Sequence, residues 1–156
     1  KLYTNSINNI LKNIHNMATI KEIQDEIVED FSMFEDWNDK YEYLIDYGKS
    51  LPLIDEKYKI DEYRIHGCQS RVWLYAEVKK DVLNFYADSD AIITKGIVGL
   101  LLKVLSGHSP QEVEEADLYF LKKIGLQEHL SPTRANGLVS MIKQIKTYAV
   151  AYNNAR

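Results

Sequence analysis

The sequence predicts an α+β domain, a small antiparallel sheet flanked by helices. Three observations predict it. Apolar residues recur at three- and four-residue steps up to Gly48, alternate with other residues between Arg71 and Ala87, and return to the helical period from Ile92 onward. Cap and stop signals fall at the borders of these stretches. A chain of 156 residues with 46% hydrophobic and 27% charged side chains suits one soluble domain that buries its core without disulfides or metals.

The first helical stretch carries Ile20, Ile23, Ile27, Val28, Phe31 and Phe34, with Lys21, Glu22, Asp25, Glu26 and Glu29 between them. Thr19 is placed to cap it, with Glu22 completing a capping box. A second helix starts near Asp36 and runs through Trp37, Tyr41, Leu44 and Ile45 to Gly48, read as a stop. Leu51-Pro52 forbids continuation, and Pro52 to Tyr63 is a charged connector. Arg71 to Val78 then alternates, with Val72, Leu74, Ala76 and Val78 on one face and Trp73 and Tyr75 on the other. Lys79-Lys80-Asp81 reads as the turn to a second strand, Val82 to Ala87, and Tyr63 to Ile65 as a short strand alongside.

Asp88-Ser89-Asp90 closes the hairpin and caps a helix that is apolar on nearly every side: Ile92, Ile93, Ile97, Val98, Leu100, Leu101, Val104 and Leu105. Such a helix belongs at the centre of the core. Ser109-Pro110 and Ser131-Pro132 are two cap-then-proline starts, and Gly125 stops the helix over Leu118 to Ile124. The last helix lines up Leu138, Met141, Ile142, Ile145, Tyr148 and Tyr152.

A net charge of −4 and the lack of a basic, aromatic-interleaved patch speak against a nucleic-acid partner. No segment reaches the ~18 to 20 apolar residues of a membrane span. Residues 1–16 hold no Asp or Glu, are rich in Asn and Lys, and precede Met17. They read as a disordered leader or an upstream extension, with the domain over 17–156; a targeting peptide is the alternative.

Cys68 is the one cysteine in the chain, so no internal disulfide forms, and a reducing cytoplasm is the expected setting. It stands between Gly67 and the polar pair Gln69-Ser70, just ahead of the first strand. Gly67 permits a tight turn, and Gln69 and Ser70 bring hydrogen-bonding groups without bulk. Two readings stay open from the residues: an ordinary core thiol, or a reactive one on a loop carried by a sheet. A metal site is not expected, because His66 and Cys68 are the only ligand types on that loop and zinc sites use three or four. One thiol cannot hold a four-cysteine cluster either. A Cys–His–acid hydrolytic site has only the availability of residues behind it. The seven glycines are scattered and form no phosphate loop.

Three blocks carry a family resemblance: Gly67-Cys68-Gln69-Ser70-x-Val72-Trp73-Leu74, Asp88-Ser89-Asp90-Ala91-x-Ile93-x-Lys95-Gly96, and Leu130-Ser131-Pro132-x-Arg134-x-Asn136-Gly137-Leu138-x-x-Met141. In this order and spacing they resemble the SufE family of cysteine-desulfurase sulfur acceptors, CsdE-like members included, from about Thr19 to the C-terminus. The resemblance implies an α+β fold shared with IscU-type scaffold proteins. It implies that Cys68 accepts sulfur as a persulfide from a SufS/CsdA-like, pyridoxal-phosphate-dependent cysteine desulfurase, stimulating it, and relays the sulfur to an iron–sulfur scaffold. The pyridoxal phosphate belongs to the partner; no cofactor of its own and no metal are expected, and a homodimer is left open.

Supporting roles follow for the neighbours. Gly67 anchors the loop, so that the sulfur tucks inward alone and is presented on docking. Gln69 and Ser70 shape it by hydrogen bonding or serve simply as turn residues. Arg134 offers a cation at a helix N-terminus to a thiolate or persulfide, or else makes a surface ion pair. Asp90 is read as a helix cap, and Trp73 as core packing. The alternative from another class is an allosteric or scaffold module that binds the desulfurase without accepting sulfur.

Overall fold

A computed structural model of the chain describes residues 18–52 and 54–155. The leader expected over residues 1–16, and the domain start at Met17, lie outside them. In order the described chain forms α1 (Ile20–Ser32), α2 (Trp37–Lys49), β1 (Val72–Lys79), β2 (Val82–Ser89), α3 (Ile92–Leu105), α4 (Pro110–Glu115), α5 (Phe120–Ile124), α6 (Leu126–His129) and α7 (Pro132–Asn154). This is the expected α+β arrangement of a small antiparallel sheet among helices.

The caps explain where the helices start. Thr19 Oγ1 accepts the Glu22 N–H at 3.1 Å, so the Thr19 side of the expected box is in place. Asp36 Oδ1 accepts from Asn38 N–H at 2.9 Å, and Ser109 with Glu112 makes a full capping box at α4. Gly125 adopts φ +70° and separates α5 from α6, a short helix for which the sequence carries no separate start signal.

The hairpin turns through Lys80 and Asp81 at φ +52° and +63°, a two-residue turn whose backbone matches the strand twist. Pairing runs from Lys79↔Val82 to Val72↔Ser89. Val72, Leu74, Ala76, Leu83, Phe85 and Ala87 point into the core. The other face carries tyrosines: Tyr75 stacks on Tyr58 at 3.7 Å, with Tyr63 edge-on to both.

The strand expected over Tyr63 to Ile65 is reduced to one bridge, Arg64 with Trp73, and one Ile65 N–H to Val72 carbonyl bond of 2.8 Å. Asp61–Tyr63 is instead a 3-10 turn. Farther along β1, the Tyr148 and Tyr152 hydroxyls of α7 donate to the Leu74 and Ala76 carbonyls, each at 3.2 Å, where a third strand would have bonded.

α3 is the central helix, buried on nearly all sides. Gly48 does not stop α2, which runs on to Lys49. It is there for space: a Cβ on Gly48 would lie 2.9 Å from the Gly96 nitrogen, and one on Gly99 would lie 2.6 Å from the Tyr47 carbonyl oxygen. Side-chain-free contact lets α2 and α3 cross backbone to backbone.

Candidate functional site

The loop from His66 to Arg71 is tied at both ends. At its base lies the Ile65–Val72 bond already described. Downstream, the Arg71 N–H donates to Asp90 Oδ1 at 3.0 Å and Ser89 Oγ donates to the Arg71 carbonyl at 2.8 Å. Asp90 therefore does not cap α3, whose N-cap is Ala91 without a side-chain bond. The reason is register: β2 continues to Ser89, paired with Val72, which puts Asp90 opposite Arg71. Upstream, Gly67 sits at φ +93°, where a side chain is strained, and a Cβ there would collide with Ser140 Oγ of α7.

Between these ties lies Cys68, half-buried. Its Sγ donates to the Gly137 carbonyl at 3.6 Å. The thiol borders a cavity of about 70 Å³ with three walls. The loop gives Cys68, Gln69 and Ser70; α3 gives Thr94 and Ile97; α7 gives Thr133, Arg134, Gly137 and Met141. The first and third sequence blocks thus meet at one sulfur, while the second reaches the loop through Asp90 and adjoins the cavity only through Thr94, a position its pattern leaves open, and Ile97 just beyond it. Thr94 is buried and its hydroxyl donates to Ser70 Oγ at 3.5 Å, tying loop to helix. Gln69 and Arg134 are exposed at the cavity's edge, with Ser131 capping α7 by accepting the Arg134 N–H at 3.3 Å. Trp73 is partly buried on the tyrosine face of the hairpin.

Burial pushes the Cys68 thiol above its ordinary pKa, and the Arg64 guanidinium pulls it back without cancelling the rise. Arg64, four residues upstream and given no role from sequence, is a cation that favours the Cys68 thiolate, while Arg134 stands exposed at the cavity's edge. Thr94 and Gly137 were also given no role. Thr94 was visible as the one hydroxyl in an apolar helix, and Gly137 lies inside the third block.

A protonated, inward thiol is a slow nucleophile that resists oxidation, and it becomes reactive on exposure. His108 pairs with Glu112 at 3.7 Å and His129 stacks on Trp37 at 4.0 Å, so each is engaged elsewhere. Among the described residues no three His, Cys, Asp or Glu side chains group to hold a metal ion.

Comparison with known proteins gives one consistent result. The SufE family profile, described as the Fe-S metabolism associated domain, matches residues 25–149. An uncharacterized SufE-like protein of Rhizobium meliloti is 42% identical over 130 residues, covering 80% of this chain and 93% of its own. One from Synechocystis is 37% identical over 135 residues, 86% of this chain and 85% of its own. The chloroplastic/mitochondrial SufE-like protein 1 of Arabidopsis thaliana is 39% identical over 127 residues, 80% of this chain and 34% of that longer protein. Among solved structures, the solution structure of a hypothetical protein from Thermus thermophilus superposes with a TM-score of 0.69 at 24% identity. It covers 83% of this chain and 94% of that one, a likeness of fold.

Proposed function

The chain belongs to the SufE family, whose domain is associated with Fe–S metabolism, and from that premise we propose that it is a sulfur acceptor. Cys68 takes persulfide sulfur from a pyridoxal-phosphate-dependent cysteine desulfurase, speeds that enzyme by unloading it, and passes the sulfur to iron–sulfur cluster assembly. The supporting observation is the meeting of the first and third family blocks at the single thiol of the chain, on a loop that Asp90 of the second block ties in place.

The transfer balances without an oxidant. Cys68 gives up its proton, and its thiolate attacks the terminal sulfur of the desulfurase persulfide. The donor S–S bond breaks, the donor cysteine leaves as a thiolate, and a new S–S bond forms on Cys68. A second cysteine nearby would resolve the persulfide into a disulfide and lose the sulfur as sulfide; this chain has none. Gly67 and the Asp90–Arg71 bond hold the loop in place, and Arg64 and Arg134 supply positive charge for the anions formed. A reducing cytoplasmic setting suits a carrier that works through one free thiol.

The test is intact mass after incubation with a cysteine desulfurase and free cysteine. A gain of one sulfur atom, removed by a mild thiol and absent in Cys68→Ser, is the expected result. Stimulation of the desulfurase without any mass gain, retained in Cys68→Ser, would replace the acceptor by a binding module.

A further inference from the structure

We propose that Gly137 is a positioning residue that distinguishes the unloaded carrier from the loaded one: its carbonyl holds the Cys68 side chain while the sulfur bears a proton, and releases it as a persulfide anion. The inference rests on the sulfur-acceptor reading and specifies what loading does to the loop.

The geometry carries it. A carbonyl oxygen can only accept, so the 3.6 Å Cys68–Gly137 contact is an S–H···O bond, which needs the thiol proton. The second lone pair of that oxygen remains for the helix bond of α7. Gly137 also makes the approach possible, since a Cβ on it would lie 3.3 Å from Sγ, closer than ordinary contact. After transfer, Sγ is bonded to Cβ and to the terminal sulfur and carries no hydrogen, while the negative charge sits on the terminal atom. The Gly137 oxygen then faces only lone pairs, and the attraction becomes repulsion. Two cations stand by the site, Arg64 acting electrostatically on the sulfur and Arg134 bordering the cavity from α7, so the charge of the persulfide is offset while the Gly137 oxygen is the group that repels it. The carboxylate that ties the loop, Asp90, accepts the Arg71 N–H. A carrier built this way withdraws its sulfur when empty and presents it when full.

The experiment loads the full chain with inorganic polysulfide. Cys68 thiolate takes one sulfur atom, the polysulfide leaves one atom shorter with its charge unchanged, and the thiol proton goes to solvent. Amide exchange across Gly67–Ser70 is expected to quicken several-fold on loading and to return on thiol reduction. In Gly137→Ala the methyl group displaces the sulfur, so iodoacetamide alkylates the unloaded thiol several-fold faster. The pH midpoint of alkylation falls towards the ordinary thiol value, and loading adds little further exchange. A wild-type loop that exchanges alike in both states overturns the proposal, whether or not the alanine variant folds. So does a folded Gly137→Ala that alkylates with the wild-type rate and pH profile. If polysulfide loads Cys68 and frees the loop but a desulfurase leaves the thiol bare, the role of Gly137 stands and the acceptor reading falls.

Discussion

Gly96 of α3 lies so close to Leu44 of α2 that a Cβ on it would stand 2.5 Å from the Leu44 carbonyl oxygen. The neighbour is backbone and cannot swing aside, so this contact sets the depth at which α3 seats. Thr94 and Ile97, the α3 wall of the thiol cavity, depend on that depth. Gly96→Ala is therefore expected to destabilise. Alanine improves helix propensity by about 1 kcal/mol, but overpacking costs about 1–3 kcal/mol, at the upper end where backbone must move. Urea unfolding should show a net loss of about 1–2 kcal/mol; a gain would mean that the helices part without cost.

Arg64 opposes the effect of burial on Cys68. Removing the cation removes an interaction that favours the thiolate, so Arg64→Gln should raise the midpoint of the alkylation–pH curve further and slow alkylation at neutral pH. Iodoacetamide rates across pH, read by mass, measure this. A midpoint that falls would assign the cation's role to another residue.

Asp90→Ala leaves the Arg71 N–H without its carboxylate partner. The expected cost is about 1 kcal/mol, with faster amide exchange confined to the cysteine loop and the hairpin retained. Asp90→Asn keeps an acceptor oxygen and should restore most of both. If asparagine behaves like alanine, charge and not the hydrogen bond holds the loop.

Asp88 lies between two lysines, 2.7 Å from Lys59 and 3.2 Å from Lys95. Burial resists its ionisation, but the Lys59 and Lys95 ammonium groups and the Ser89 N–H outweigh it, and the carboxyl sits below the usual range. A carboxylate with a lower pKa folded than unfolded contributes stability above its unfolded pKa. That contribution is lost as pH falls through the folded value. Asp88→Asn should therefore flatten the acid limb of the stability–pH curve while losing stability at neutral pH. An unchanged acid limb would show that the two ion pairs contribute nothing, as exposed pairs often do.

Much of this molecule is local information. Thr19, Asp36, Ser109 and Ser131 cap helices because a side-chain oxygen reaches an amide two or three residues on, a relation contained in a few consecutive letters. The alternation from Val72 onward and the turn at Lys80-Asp81 specify the hairpin in the same way. Cys68 could be read as a loop thiol for the same reason, and three spaced blocks were enough to indicate the family.

Other features depend on residues far apart in the chain. Asp90 was misread as a cap because β2 runs two residues past its apparent end, and only the register with β1 puts that carboxylate opposite Arg71. Gly48 was misread as a stop because nothing near it in sequence reveals the helix that crosses it. The sequence by itself determined most of the elements, their order and the place of the lone thiol on a loop. Tertiary structure decided what that thiol touches: Gly137 is 69 residues away, and Thr94 reaches the loop through Ser70 across 24. Hydrogen-bond partners and pKa values are set by distance in space, and those distances exist only after α3 and α7 have packed.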